Sequence, residues 1–233
     1  MNVKTIKAAW VTSLPVLVGY VIMGFGFGIM LLNAGYGVGW AFLMSLSIYA
    51  GTLQYVGVSL VAAPASLIMT LLTTIMINGR HLFYSLSMIK KYQGAGKLKP
   101  YMIFALTDET YALLSAEYDL PEEEKHSFYF WVSLFNQSYW VLGSVLGSVA
   151  GAALPFDTSG VAFSMTALFV AAFTEQWLSG QERISAILGL TITLVSRFIW
   201  GREIFLIPAM IILTIVLLAL RKYLDPQGVT NHA

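Results

Sequence analysis

Cysteine is absent from the 233 residues, so neither a disulfide nor a thiolate can contribute to the fold or its chemistry. Charge is scarce as well: Asp, Glu, Lys and Arg make up 11% of the chain, where a soluble domain carries about 25%. Neither sign dominates, and a net charge of +1 offers no electrostatic footprint for nucleic acid. The three histidines, His81, His126 and His232, lie far apart, which argues against a metal centre. No G-x-S-x-G, H-E-x-x-H, P-loop or dinucleotide fingerprint occurs, so nothing points to an enzyme or to a bound cofactor.

What is there is apolar. Hydrophobic residues form 58% of the chain and mean hydropathy is +0.74, the composition of an integral membrane protein. At roughly 20 residues per crossing, the length predicts an all-α, polytopic protein of about seven or eight transmembrane or half-membrane helices. Residues 1–233 then make a single transmembrane domain with no room for a soluble one. Lys4 and Lys7 precede an apolar run to Leu32 that lacks a small-residue cleavage site, so a retained first span is expected. So few helices enclose a pathway poorly, which favours a partner subunit or self-association into a higher oligomer.

In chain order, span one covers about Ala9 to Leu32 and carries Gly24 and Gly28 as G-x-x-x-G, a spacing that lets helices approach closely. A second span is expected from about Trp40 to Leu60, and a third from Leu67 to Ile89. A basic loop, Lys90 to Lys99, precedes a shorter apolar segment, Pro100 to Ser115, with Asp108 and Glu109 at its middle. An acidic loop follows (Glu117, Asp119, Glu122, Glu123 and Glu124). The next span carries Gly143, Gly147 and Gly151 at i+4 intervals, again a helix-contact stripe. Further spans are expected at about Val161 to Leu178, Ile184 to Trp200 and Ile204 to Leu220, with a disordered tail over 223–233.

The third span is interrupted by Ile77-Asn78-Gly79-Arg80-His81, a cluster that packing in lipid does not require. An ionisable group at membrane depth costs roughly 2.5–3.5 kcal/mol on insertion scales and normally faces protein, water or a ligand. An offset of 122 residues aligns Ile77–Ile89 with Ile199–Ile211, with identities at Ile77/Ile199, Gly79/Gly201, Arg80/Arg202, Phe83/Phe205, Met88/Met210 and Ile89/Ile211. About one match would be expected by chance, so the chain reads as an internal repeat. Its halves are about 9–99 and 127–222, joined by 100–126. Lysine placement complicates the topology, since three simple spans after Lys4 and Lys7 would put the four-lysine loop on the opposite side, against the positive-inside rule. Breaking the third segment at Asn78-Gly79-Arg80 returns that loop and inverts the second half. The expectation is therefore an interrupted third helix and an inverted repeat, the usual pointer to a transport site.

The residues expected to bind a solute or couple a proton are Gln54, Asn78, Arg80, His81, Asp108, Glu109, Glu175 and Gln176. Arg80 suits a carboxylate and stays charged in any such site. Asp108, Glu109 and Glu175 suit an ammonium or a proton, and the amides supply neutral hydrogen bonds. His81, with a reference pKa near 6.5, is a further proton carrier.

Ala50-Gly51-Thr52-Leu53-Gln54, Asn78-Gly79-Arg80-His81 with Leu82-Phe83-Tyr84, Thr107-Asp108-Glu109-Thr110-Tyr111, and Glu175-Gln176-Trp177 occur in that order. Together they resemble the AzlC family, the large subunit of the bacterial branched-chain amino-acid exporter, over about Pro15 to Met210. The resemblance implies a secondary transporter that exports valine, leucine, isoleucine and methionine using the proton gradient. It also implies a small, very apolar AzlD-type partner in the inner membrane. The alternatives are a carrier or channel for another small solute, and a membrane scaffold that docks a small partner without transporting.

Overall fold

The computed structural model describes residues 2–62, 65–153, 170, 174, 177 and 183–224. The chain forms two compact units, Met1–Ser164 and Met165–Ala233. Among the described residues the regular structure is helical, with no strand.

Unit one is built on two long helices, α1 (Val3–Asn33) and α7 (Glu122–Ala153), which run parallel. The direction is fixed by contacts that climb both helices together. Asn2 donates to Glu124 at 2.8 Å, Ser13 and Tyr139 share a hydrogen bond at 2.9 Å, and Gly151 lies under Leu32. The glycine stripes form the seam between them. A Cβ on Gly24 would sit 2.7 Å from the Trp140 carbonyl oxygen, and one on Gly143 2.6 Å from the Val21 oxygen. Both residues are therefore glycine because backbone meets backbone there, the close approach expected of small residues in lipid. An inverted repeat would set its matching helices antiparallel. The pair that the 122-residue offset matches, α1 and α7, is parallel.

The segment expected as span two is not a single helix. It is a hairpin of two short helices, α2 (Val38–Ser47) and α3 (Gly51–Ala62). Gln54 donates to Ser45 at 3.3 Å across it, and Gly57 faces Met44, so the two arms lie antiparallel. Its tip, Ile48-Tyr49-Ala50, sits at the level of Tyr20, halfway along α1. Helix α4 (Leu67–Met88) then runs back towards the α1 N-terminus. At 1.5 Å per residue its 22 residues span about 33 Å.

A second hairpin enters from that lysine-rich end: α5 (Lys99–Phe104) and α6 (Asp108–Ser115). Lys99, Ile103 and Leu106 line a cavity together with Ser85, Ile89 and Tyr92, and Tyr84 donates to the Leu106 carbonyl at 3.5 Å. Returning outward, Tyr111 stacks on Tyr84 with ring centres 5.4 Å apart, and Lys91 donates to the carbonyls of Leu114 and Ser115 at 3.0 and 2.9 Å. The base of this hairpin packs into the core formed by Tyr92, Met102, Leu114, Phe128 and Val132. Open backbone at membrane depth is tolerated only where protein or a cavity covers it. Both tips meet that condition: Tyr49, Ala50, Ala105, Leu106 and Thr107 are all buried.

Two expectations are thereby corrected. Helix α4 passes unbroken through Asn78-Gly79-Arg80-His81, so the polar cluster is not an interruption. One glycine weakens a helix by only about 1 kcal/mol relative to alanine, less than tertiary packing supplies. The basic loop does return to the end that holds Lys4 and Lys7, but because α2–α3 turns back, not because α4 breaks. Lys4, Lys7, Lys90, Lys91, Lys97, Lys99 and Lys125 all lie at this end of unit one. There Thr5 and Asn2 donate to Glu124 and hold its carboxyl below the usual range.

In unit two, α8 (Arg183–Ile204) and α9 (Leu206–Leu224) fold back on each other, with Gly189 near Leu213 and Arg197 over the Phe205 ring at 6.0 Å. Here the repeated Gly-Arg pair does break the helix, because Gly201 adopts φ 77°, ψ 179°. The two copies of the aligned segment thus differ in backbone: α4 is continuous and α8 is kinked.

Candidate functional site

The two hairpin tips meet between α1 and α7, and the local sequence explains each turn. At the α2–α3 tip Tyr49 holds φ at +41°, a left-handed conformation that costs a non-glycine residue about 1–2 kcal/mol. Its ring is buried edge-on to Tyr20 and beside Phe104 of the other hairpin, both at 6.5 Å, which offsets that cost. Gly51 follows because a Cβ there would lie 2.9 Å from the Trp140 ring. At the α5–α6 tip Thr107 caps α6 by accepting from the Thr110 amide at 3.2 Å. Asp108 and Glu109 then fall in the first turn, where the helix dipole favours negative charge.

The side chains that converge there form one polar network. Tyr20 on α1 donates to Glu109 Oε2 at 2.6 Å, and its hydroxyl lies 2.6 Å from Thr107 Oγ1. Thr107 donates to Thr110 at 3.1 Å, and Asn136 on α7 donates to the same Thr110 oxygen at 3.0 Å. Alongside, Tyr101 donates to Gln137 at 2.7 Å, and Gln137 donates to the Leu46 carbonyl at 3.0 Å, tying both hairpins to α7. Tyr20, Thr110 and Asn136 are buried, and Asn136 Oδ1 has no hydrogen-bond partner. Buried polar atoms are normally satisfied, so an open one on this network marks a place for a polar ligand or water.

The residues singled out from sequence divide as follows. Glu109 lies in the network, and Asp108 starts the same helix. Gln54 is fully buried but structurally committed, accepting from Trp140 Nε1 at 2.8 Å while donating to Ser45. Asn78 and His81 lie on α4. The His81 ring is 5.1 Å from Tyr84, which in turn stacks on Tyr111 of α6. The Arg80 side chain, Glu175 and Gln176 lie outside the described residues. Sequence reasoning missed Tyr20, Tyr49, Thr107, Thr110, Asn136 and Trp140 as members of the site. The available signal was Asn136-Gln137, two adjacent amides inside an apolar span.

A family model described as AzlC protein matches residues 15–154, the part of the chain that contains both hairpins and α7. The chain belongs to the AzlC family. A Haemophilus influenzae membrane protein is 41% identical over 91% of this chain and 87% of its own length. One from Helicobacter pylori is 38% identical over 95% and 97%. The Bacillus subtilis branched-chain amino acid transport protein AzlC is 35% identical over 96% of this chain and 88% of its own. No solved structure matches. The matched region places the buried network inside what defines the family, whereas α8 and α9 lie beyond it.

Proposed function

We propose that this protein is the large subunit of a secondary transporter that exports branched-chain amino acids (valine, leucine, isoleucine and also methionine), driven by the proton gradient. The observation that carries the proposal is the meeting, at mid-depth, of two hairpins that enter from opposite ends around a half-buried carboxylate, Glu109. Interrupted elements of this kind supply helix ends and free backbone groups to a substrate in many carriers. The relationship to the Bacillus subtilis branched-chain amino acid transport protein supports the substrate class.

The chemistry suits a zwitterion. Helix α3 begins at the tip with no acidic residue in its first turn, so its positive dipole end is available to a carboxylate. Helix α6 begins opposite and carries Glu109 for an ammonium. The rings of Tyr49, Phe104 and Trp140 leave an apolar surround for the side chain. One methylene is worth only about 1–3 kcal/mol in such a pocket, so related aliphatic amino acids share the carrier. The lysine-rich end faces the cytoplasm by the positive-inside rule, in a bacterial inner membrane. A small apolar AzlD-type subunit covers part of the lipid-facing surface.

The test is counterflow of labelled leucine in vesicles, with and without the small subunit, followed by accumulation against an imposed pH gradient. Flux that needs the partner and follows the gradient is expected. A purified pair that exchanges no leucine under either condition would refute the exporter and favour a scaffold.

A further inference from the structure

We propose that Glu109 is the common acceptor for the substrate's primary ammonium and for the driving proton, so that the two compete for one carboxylate at the hairpin tips. The proposal rests on the transport reading above and specifies how coupling arises.

The argument begins with unmatched acceptors. Tyr20 donates to one carboxylate oxygen of Glu109, Oε2. On the same network, Asn136 Oδ1 is fully buried with nothing donating to it, and the buried Tyr49 ring lies against Tyr20. Thr110 accepts from both Asn136 and Thr107, and Thr107 lies 2.6 Å from the Tyr20 hydroxyl, so these groups sit side by side in one polar cluster. The arrangement is rich in oxygen and poor in N–H donors. An alkylammonium brings three donors and a positive charge, which is what a carboxylate, an amide oxygen and a phenol oxygen together accept. A proton brings one. Once Glu109 holds it, the group becomes a neutral donor and its attraction for a cation is gone.

The groups around Glu109 come from several elements. Tyr20 on α1 touches it directly, Tyr49 at the α2–α3 tip lies against Tyr20, and Asn136 on α7 reaches Thr110, while Asp108, Thr107 and Thr110 share its own element. Helix α4, packed on α6 through Tyr84 and Tyr111, carries Arg80 and His81. Of these, His81 is the rival proton carrier, being the one whose reference pKa lies near neutrality.

The cycle balances. On the cytoplasmic side protonated Glu109 gives its proton to water, and the carboxylate so formed takes an amino acid as its ammonium form. On the outer side a proton from water binds Glu109, and the ammonium leaves with all three of its hydrogens. One proton enters per zwitterion exported, and one positive charge moves inward.

The experiment uses the full-length protein with its small partner and leucine as the probe, measuring affinity from pH 5.5 to 8.5 and proton release in weak buffer. Affinity should fall about tenfold per pH unit on the acid limb, with about one proton released per leucine bound. Glu109→Gln should weaken binding at high pH by at least about tenfold and abolish both the pH dependence and the release, whereas Glu109→Asp keeps both. Tyr20→Phe removes the hydroxyl that contacts the carboxylate and should displace the midpoint of the pH profile; this variant keeps the test alive if Glu109→Gln does not fold. Proton release that persists in Glu109→Gln, an unmoved midpoint in Tyr20→Phe, or a pH dependence that vanishes only in His81→Gln overturns the proposal. Leucine counterflow in the unaltered protein alongside any of these results leaves the transport reading standing, whereas its absence sinks both.

Discussion

Replacing Gly28 by alanine should open the seam on which unit one is built. Its added methyl would lie 2.6 Å from the Ser148 amide nitrogen and closer still to the Ser144 carbonyl oxygen. Both are backbone atoms of α7, so no side chain can rotate away, and ordinary contact begins at 3.4 Å. The helices must separate locally, loosening Gly143 against Val21 and Gly147 against Phe25 as well. Overpacking of this kind costs about 1–3 kcal/mol. Two kcal/mol is roughly a 30-fold change in the folding equilibrium. Gly19 is the internal control, because it lies in the same helix with nothing within 4 Å of the added position. Gly19→Ala should be neutral or stabilise α1 by about 0.5–1 kcal/mol through reduced backbone freedom. The assay is equilibrium unfolding in mild detergent, followed by near-ultraviolet circular dichroism of the buried aromatic residues. Equal midpoints for Gly28→Ala and Gly19→Ala would show that α1 and α7 are not in backbone contact.

Three further outcomes are expected. Trp140→Phe removes the donor to Gln54, leaving a buried amide oxygen unmet at a cost of about 1–3 kcal/mol; adding Gln54→Leu should restore part of the loss, and strict additivity in thermal unfolding would count against the pairing. Hydrogen bonds hold the Glu124 carboxyl below its usual range, so its contribution is present above the unfolded pKa and is lost as pH falls through the lower folded one; Glu124→Gln should flatten the acid limb of the melting-temperature profile, and an unchanged limb would refute that role. The chain has no native cysteine, so single cysteines report cleanly: Lys7→Cys and Lys97→Cys should react with an impermeant maleimide from one side of the membrane and Gly37→Cys from the other. Labelling of Lys97→Cys from the Gly37 side would mean that the second segment crosses after all.

The long helices and their glycine stripes were legible because composition and spacing state them directly: Gly24 and Gly28 do meet the α7 backbone, and Gly143 and Gly147 the α1 backbone. The hairpins were not legible. From Trp40 to Leu60 hydropathy is continuous, and apolar length counts residues without revealing direction. The turn at Ile48-Tyr49-Ala50 contains neither glycine nor proline and depends on a left-handed tyrosine stabilised by rings on α1 and α5. Conversely, Asn78-Gly79-Arg80 looked like a break yet packs as helix, since one glycine is a weak breaker. Glu109 was recognisable as an acid at depth. Its partner Tyr20, and Asn136 on the same network, were not, because they are far apart in sequence and come together only after folding. The lysine pattern pointed to the third segment as the one that turns back, whereas the hairpin in the structure lies in the second.

The hairpin tips also impose an order on synthesis. The α2–α3 turn is made early, but Trp140 and Gln137, which cover it, emerge about 90 residues later. At 5–20 residues per second that is a delay of roughly 5–20 s. During that interval an unsheltered turn has no stable place in hydrocarbon. The first hairpin must therefore wait at the interface, or beside the insertion machinery, and enter only when α7 arrives against α1. Chains that stop before α7 would carry all the residues of that hairpin and nothing to cover its tip.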